Sequence, residues 1–292
     1  MEKVYFIREI TPSNIVKLYE ELNKELPGKV AVKVHSGEEG NQNYLRPEFL
    51  KEIVNYVNGT IVECNTAYEG ERNTTEKHLK TIENHGWNSI FNVDLLDQEG
   101  PDLSIPVVNG KHLKEDFLGK NITKYDSMLV ISHFKGHPMG GYGGALKQLS
   151  IGCASSMGKA WIHSAGTNKD QYTLWDHLPE QNAFLESMAE ASSAVVNYFK
   201  GNMAFINIMC NMSVDCDCCA VAEDPCLKDI GILASLDPVA IDQACIDLVI
   251  NSNDPGKDHF MERVNSRNGL HTINTAAELN VGTKDYELIE IK

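Results

Sequence analysis

Four cysteines fall within eleven residues, in Asp215-Cys216-Asp217-Cys218-Cys219 and then Cys226. Thiolates are soft ligands that select zinc, copper(I) or iron–sulfur clusters. The spacing is neither the paired C-x2-C of zinc ribbons nor the C-x2-C-x2-C-x3-C-P of bacterial ferredoxins. In an extended chain Cys218 and Cys219 point in opposite directions. Three of the four could therefore share one metal, with Cys210, Cys153 or an outside ligand in the remaining place. A free cysteine is often just a small buried hydrophobe, but three in four residues favour a bound metal or cluster, with a metal-free redox dithiol as the next alternative.

A second group runs from Ile131 to Lys147 (ISHFKGHPMGGYGGALK). His133, His137, Lys135 and Lys147 offer proton transfer, metal ligation or positive charge. Gly140, Gly141, Gly143 and Gly144 are candidate cofactor-binding residues, since glycine lets backbone N–H groups approach an anion. The two histidines have the i, i+4 spacing of a helical metal site, but Gly136 and Pro138 argue against a helix there. A satisfied structural imidazole is the plain reading of either one alone. His163 reads as a surface residue at a strand end, Asp237 as a helix cap and Asp242 as part of an exposed face. Glu63, Asn65 and Thr66 could face the site or simply cap a loop.

Several classes are excluded. Twenty-six Lys+Arg against 41 Asp+Glu leave a net charge of −15, which lacks the cationic footprint of nucleic-acid binding and is repelled by anionic membranes. No apolar run approaches a spanning helix. MEKVYFIREI is not a signal peptide, so the cytoplasm is the expected location. GYGGAL does not satisfy G-x-G-x-x-G. The GCASSMGKA segment has five residues between its glycines and no Ser/Thr after Lys159, so ATP or GTP hydrolysis is not expected.

The elements that must position these groups alternate. Lys29–Val34 reads as a strand, Arg46–Val57 as a helix with Pro47 in its first turn, and Thr60–Cys64 as the next strand. Asn73–His85 reads as a helix capped by Asn73 or Thr74. Asp126–Ser132 is a buried strand running into the glycine-rich loop. Glu180–Phe199 is the longest helix, and Met203–Met209 is a strand leading into the cysteines. Ile230–Ala234 is a short strand, and Asp237-Pro238 opens a helix to about Ile250. A short helix and a strand-like YELIEI close the chain. The pattern predicts an α/β fold with a mixed, largely parallel sheet and helices on both faces. Residues 1–292 form one compact domain in this reading. A subdivision, if there is one, falls near residue 200, with the sheet core and loop in 1–200 and the cysteines in 201–292.

The combination of motifs resembles one family. His133-Phe-Lys-Gly-His137, Gly143-Gly144-Ala-Leu-Lys147 and Gly152-Cys-Ala-Ser-Ser-Met-Gly158-Lys159 are similar to the signature of the domain of unknown function 362 family, often labelled iron–sulfur centre proteins. So are Asp215–Cys219, the Asp229–Asp242 block and Asn65–Thr74 with His78 and His85-Gly86. Many relatives carry a ferredoxin segment after the Gly-Lys block. Trp161–Asn202 stands there in this chain without a cysteine, so the resemblance does not imply a two-cluster relay.

The leading expectation is a cytoplasmic metal-binding protein of oxidoreductase type, with a [4Fe–4S]-type iron–sulfur cluster or a thiolate-bound metal at Cys216, Cys218, Cys219 and Cys226. Its partner is a small-molecule substrate, anionic where the lysines hold it, or an electron-transfer protein. Nucleic acid and membrane are not expected partners. One alternative is a non-redox zinc- or nickel-type metalloenzyme using His133 and His137. Another is a non-enzymatic carrier of metal or clusters.

Overall fold

The segment Ser127–His133 is buried along its length, and its Met128–Ile131 run is apolar because both of its faces are covered. In the computed structural model, which describes residues 1–100 and 102–292, this strand lies in an eight-stranded sheet. In chain order the elements begin with β1 (Glu2–Ile7), α1 (Pro12–Glu21), β2 (Val30–Lys33), α2 (Pro47–Tyr56), β3 (Gly59–Glu63), α3 (Thr75–Asn84), α4 (Trp87–Ile90) and β4 (Val93–Leu95). Next come the small paired strands β5 (Leu103–Pro106) and β6 (Glu115–Leu118), then β7 (Ser127–His133) and the hairpin β8 (Lys135–His137) and β9 (Gly141–Gly143). The chain continues through α5 (Ala145–Cys153), α6 (Ser156–His163), α7 (Gln181–Phe199), β10 (Met203–Met209) and β11 (Gly231–Ser235). It closes with α8 (Pro238–Ile250), α9 (Gly256–Ser266), α10 (Leu270–Glu278) and β12 (Tyr286–Glu290).

The main sheet runs β12-β1-β11-β10-β7-β2-β3-β4. All neighbours pair in parallel except β11, which is antiparallel to both β1 and β10. The fold is therefore α/β, with a mixed, largely parallel sheet. Its strands come from both sides of residue 200.

Side chains alternate across a strand, and the cores follow that rule. Met128 and Val130 of β7 join the core under α5, α7 and α8. Leu129 and Ile131 join the one under α1 and α2. Helices thus cover both faces, as parallel strands require.

Local signals set the helix starts. Thr74 caps α3 by accepting from Lys77 N. Asp237 caps α8 by accepting from Val239 and Ala240 N, with Pro238 at the first helical position. Asp242, expected on an exposed face, is instead buried. Its carboxylate accepts from Ala145 N at 2.7 Å and Leu146 N at 3.0 Å, so α8 caps the start of α5. Among the described residues, no helix is long and apolar enough to cross a membrane.

Candidate metal and thiolate centre

Strands β7 and β10 are parallel neighbours with Ile208 opposite His133, so the chain leaves both at the same edge of the sheet. The histidine loop and the cysteine loop therefore meet. Phe134 N donates to Ile208 O at 2.9 Å, and Gly136 N donates to Ser213 O at 2.8 Å. Glycine is needed at 136, because a Cβ there would lie 2.3 Å from Val214 O.

Asp217 ties the two loops together. It is buried, and its carboxylate lies 2.8 Å from His133 Nδ1 and 2.9 Å from Lys135 Nζ. His133 Nε2 lies 2.6 Å from Cys210 O. Both ring nitrogens thus face acceptors, so both carry protons and His133 is an imidazolium. Burial would raise the Asp217 carboxyl, but the charges of His133 and Lys135 hold it well below the usual range. His133 and Lys135, expected to transfer protons or hold substrate, are engaged here with Asp217 and lie outside the residues that line the cavity.

On either side of Asp217, the Cys216 and Cys218 sulfurs come together with the His137 ring. One ligand atom from each of the three lies within 4.8 Å of the others, and Cys218 Sγ is 3.9 Å from His137 Nε2. Lys147 Nζ stands 3.7 Å from Cys216 Sγ. Burial would raise the Cys216 thiol, but a hydrogen bond from Cys218 and the charges of Lys147 and Lys135 hold it well below its ordinary value. Cys218, giving hydrogen bonds to Cys216 and Cys219, is pushed well up. One thiolate shared with a neighbouring thiol is the resulting state.

Two thiols and an imidazole are a soft donor set suited to a single zinc-like ion. The other two candidate cysteines do not join that group. Cys219 N donates to Cys216 O and its thiol meets Cys218, while Cys226 Sγ contacts Met212 O at 3.5 Å. A four-cysteine cage is therefore not assembled among the described residues. The position of His137 fits a ligand, but its protonation does not. Its Nδ1 accepts from Gly140 N at 2.8 Å and Met139 N at 3.2 Å, and burial lowers the ring to about 4. The neutral ring then carries its proton on Nε2, facing the sulfurs. Ligating histidines usually donate from the second nitrogen, so ligation here requires the 137–140 turn to release both amides.

The candidate glycines make their close approaches to the chain itself. Gly140 N–H is engaged with His137, Gly141 packs on Gly269 and Val264, and Gly144 packs on Asp242.

A cavity of about 50 Å³ opens beside His137 and Cys218. It lies over the carboxyl ends of β2, β3 and β7, where open α/β sheets bind ligands. Lys147 lines it, as do Lys33, Glu63, Arg72, Lys159 and His163. Lys33 Nζ is buried against Glu63 at 2.7 Å, and Arg72 pairs with Glu38 at 3.1 Å. His163 corrects the expectation of a surface strand end: it is buried, at the end of α6. The overlooked signal is Ser155, which caps α6 by accepting from Gly158 N. Lys33 carries no local motif that marks it as part of a site, whereas Arg72 and Lys159 fall within the blocks that carry the family resemblance.

Residues 30–247 match a family model described as a domain of unknown function (DUF362). No curated protein matches the chain. Among solved structures, the lactate racemase apoprotein from Thermoanaerobacterium thermosaccharolyticum is similar at 14% identity and a TM-score of 0.41, covering 70% of this chain and 50% of that one. A protein from Thermotoga maritima is similar at 11% identity and a TM-score of 0.38, covering 91% of this chain and 58% of that one.

Proposed function

The chain belongs to the domain of unknown function 362 family (DUF362), and on that footing we propose that it is a thiolate-metal enzyme acting on a small anionic molecule. The observation that carries this reading is the meeting of Cys216, Cys218 and His137 within 4.8 Å. Cys216 and Cys218 would hold the ion as thiolates, with His137 as third ligand once its turn opens, leaving a place for the molecule in the cavity. A bound ion would supply Lewis acidity at that place. Lys147 keeps Cys216 ionised, and Asp217 fixes the cysteine turn against His133 and Lys135. An iron–sulfur cluster would need Cys219 and Cys226 to swing into the same corner.

A second reading, oxidoreductase chemistry without metal, is favoured by the His137 tautomer. With Nδ1 accepting from two amides, Nε2–H stabilises a Cys216 thiolate. The Cys216 thiolate and the Cys218 thiol would then close to a disulfide, passing two electrons to a partner oxidant and releasing the one Cys218 proton.

Metal analysis of protein purified without oxygen separates these readings. The metal reading expects about one zinc-class ion per chain, lost from Cys216→Ser and Cys218→Ser but kept by Cys226→Ser. Metal-free protein whose Cys216 is alkylated rapidly below pH 7 would overturn it in favour of the dithiol. Iron lost on Cys226→Ser would instead restore the cluster.

A further inference from the structure

Lys159 is buried, which lowers it from the ordinary lysine range, and its ammonium makes one hydrogen bond among the described residues, to Ala154 O at 2.6 Å. An ammonium has three donors, so two of its N–H groups have no protein acceptor among the described residues. Two of the nearby carboxylates are already engaged, and another, Asp116, leaves Oδ2 unpartnered among the described residues but makes no hydrogen bond to Lys159. Glu63 accepts from Lys33 and from Ser36, and Asp97 accepts from Asn65 N and Ser156 N. Lys147, on the same cavity wall, has the Cys216 sulfur as its only partner among the described residues. A buried charge without a partner is costly, so Lys159 calls for an anion within the cavity, and the half-buried Lys147, already beside the Cys216 thiolate, adds positive charge to the same wall.

His163 adds an independent feature. Its Nδ1 lies 2.7 Å from Lys159 O, a group that can only accept, so Nδ1 carries the proton of the neutral ring. The ring stacks on Phe184 with centroids 5.1 Å apart, which fixes its plane. Nε2 therefore presents a lone pair, has no hydrogen-bond partner among the described residues, and belongs to a residue lining the cavity. His137 is the opposite tautomer, so the two rings are not interchangeable.

We infer that the cavity binds a small oxyanion carrying a proton donor of its own: its charge meets the Lys159 and Lys147 ammonium groups, and its donor meets Nε2 of His163. This rests on reading the cavity as the working site, and extends it by naming the class of molecule. The size admits a few heavy atoms beyond water, since about one probe sphere of room holds a water.

Phosphate and sulfate are the first probes, because they share a shape while only phosphate keeps an O–H at neutral pH. Thermal unfolding of the protein as purified is followed against each anion, with chloride holding ionic strength constant. Phosphate should raise the Tm saturably, at concentrations about tenfold lower than sulfate. Lys159→Met should weaken both by about tenfold, and His163→Phe should erase the difference between them. Glycolate, a carboxylate with an O–H of its own, identifies the source in a parallel titration: stabilisation by glycolate above phosphate assigns a planar carboxylate, and the reverse a tetrahedral phosphate. Wild-type protein stabilised by no oxyanion beyond chloride overturns the proposal whether or not the variants fold. Equal effects of phosphate and sulfate overturn the role of His163. Metal content is read on the same samples. Anion binding without metal leaves this inference standing and removes the metal reading, while metal without anion binding does the reverse.

Discussion

Asp217 is the residue on which the centre turns, although in sequence it simply stands between two cysteines. Its carboxylate neutralises the His133 imidazolium and Lys135 in a buried setting, so removing it leaves two cations with no counter-charge. Asp217→Asn should cost about 3 kcal/mol of unfolding free energy in urea, and Lys135→Met in the same chain should recover part of that. A change below about 0.5 kcal/mol, the scale of an exposed ion pair, would mean the triad is not formed. Residue types were legible here, since the histidines, lysines and cysteines all announced themselves. Their roles were not. His133 and His137 look alike in sequence, yet one is an imidazolium held by a carboxylate and the other a neutral ring held by backbone amides. The protons of His133 depend on partners 77 to 84 positions away, which no local pattern encodes, while those of His137 depend on a turn only two and three positions on.

At the scale of elements, α5 matters most because it carries Lys147 and Gln148 to the cavity wall. Its first amides are capped from α8 by Asp242, which also accepts from Asn207 Nδ2 at 2.7 Å and Tyr142 OH at 3.2 Å. A Cβ on Gly144 would fall 2.4 Å from that carboxylate, which explains one glycine of the loop without any ligand. Burial raises Asp242 to about 6 against its four donors, so it is ionised at neutral pH. Asp242→Asn turns an amide N–H₂ toward those donors. It should lower stability by about 1–3 kcal/mol and slow alkylation of Cys216 as Lys147 shifts; a stable variant with unchanged alkylation would separate the cap from the site. The long periodic elements, β7, α7, β10 and α8, lie within a residue or two of their expected bounds. The hairpin β8–β9 and the start of α5 were hidden because a glycine run reads as loop. Strand β1 and helix α1 went unassigned, although Thr11 and Pro12 make a usable start signal.

Over the whole molecule, a net charge of −15 repels anions at long range, so the cations lining the cavity act on an anion only within about a Debye length. The same buried chemistry makes the fold sensitive to acid. His78 is enclosed beside Asn65 and Ser36, and burial together with Arg72 lowers it from 6.5 to about 3. The unfolded chain then binds the proton more tightly, so this contribution is present above pH 6.5 and is lost as the pH falls toward 3. Urea unfolding at pH 6.5 and pH 5 should differ by about 2 kcal/mol from this group. His78→Gln should shrink that difference by the same amount, whatever it costs at neutral pH; an unchanged difference would place the acid sensitivity elsewhere. The sequence alone determined the fold class, the sheet-forming runs, the family resemblance and the two loops that carry chemistry, because periodicity, capping and motif spacing are local properties. Only the tertiary structure decided that these loops share one sheet edge, that Cys216 and Cys218 gather with His137 while Cys226 stays apart, and that Lys159 and His163 face the cavity. Those facts follow from strand order and from how β7 and β10 lie side by side, which residues distant in the chain decide together.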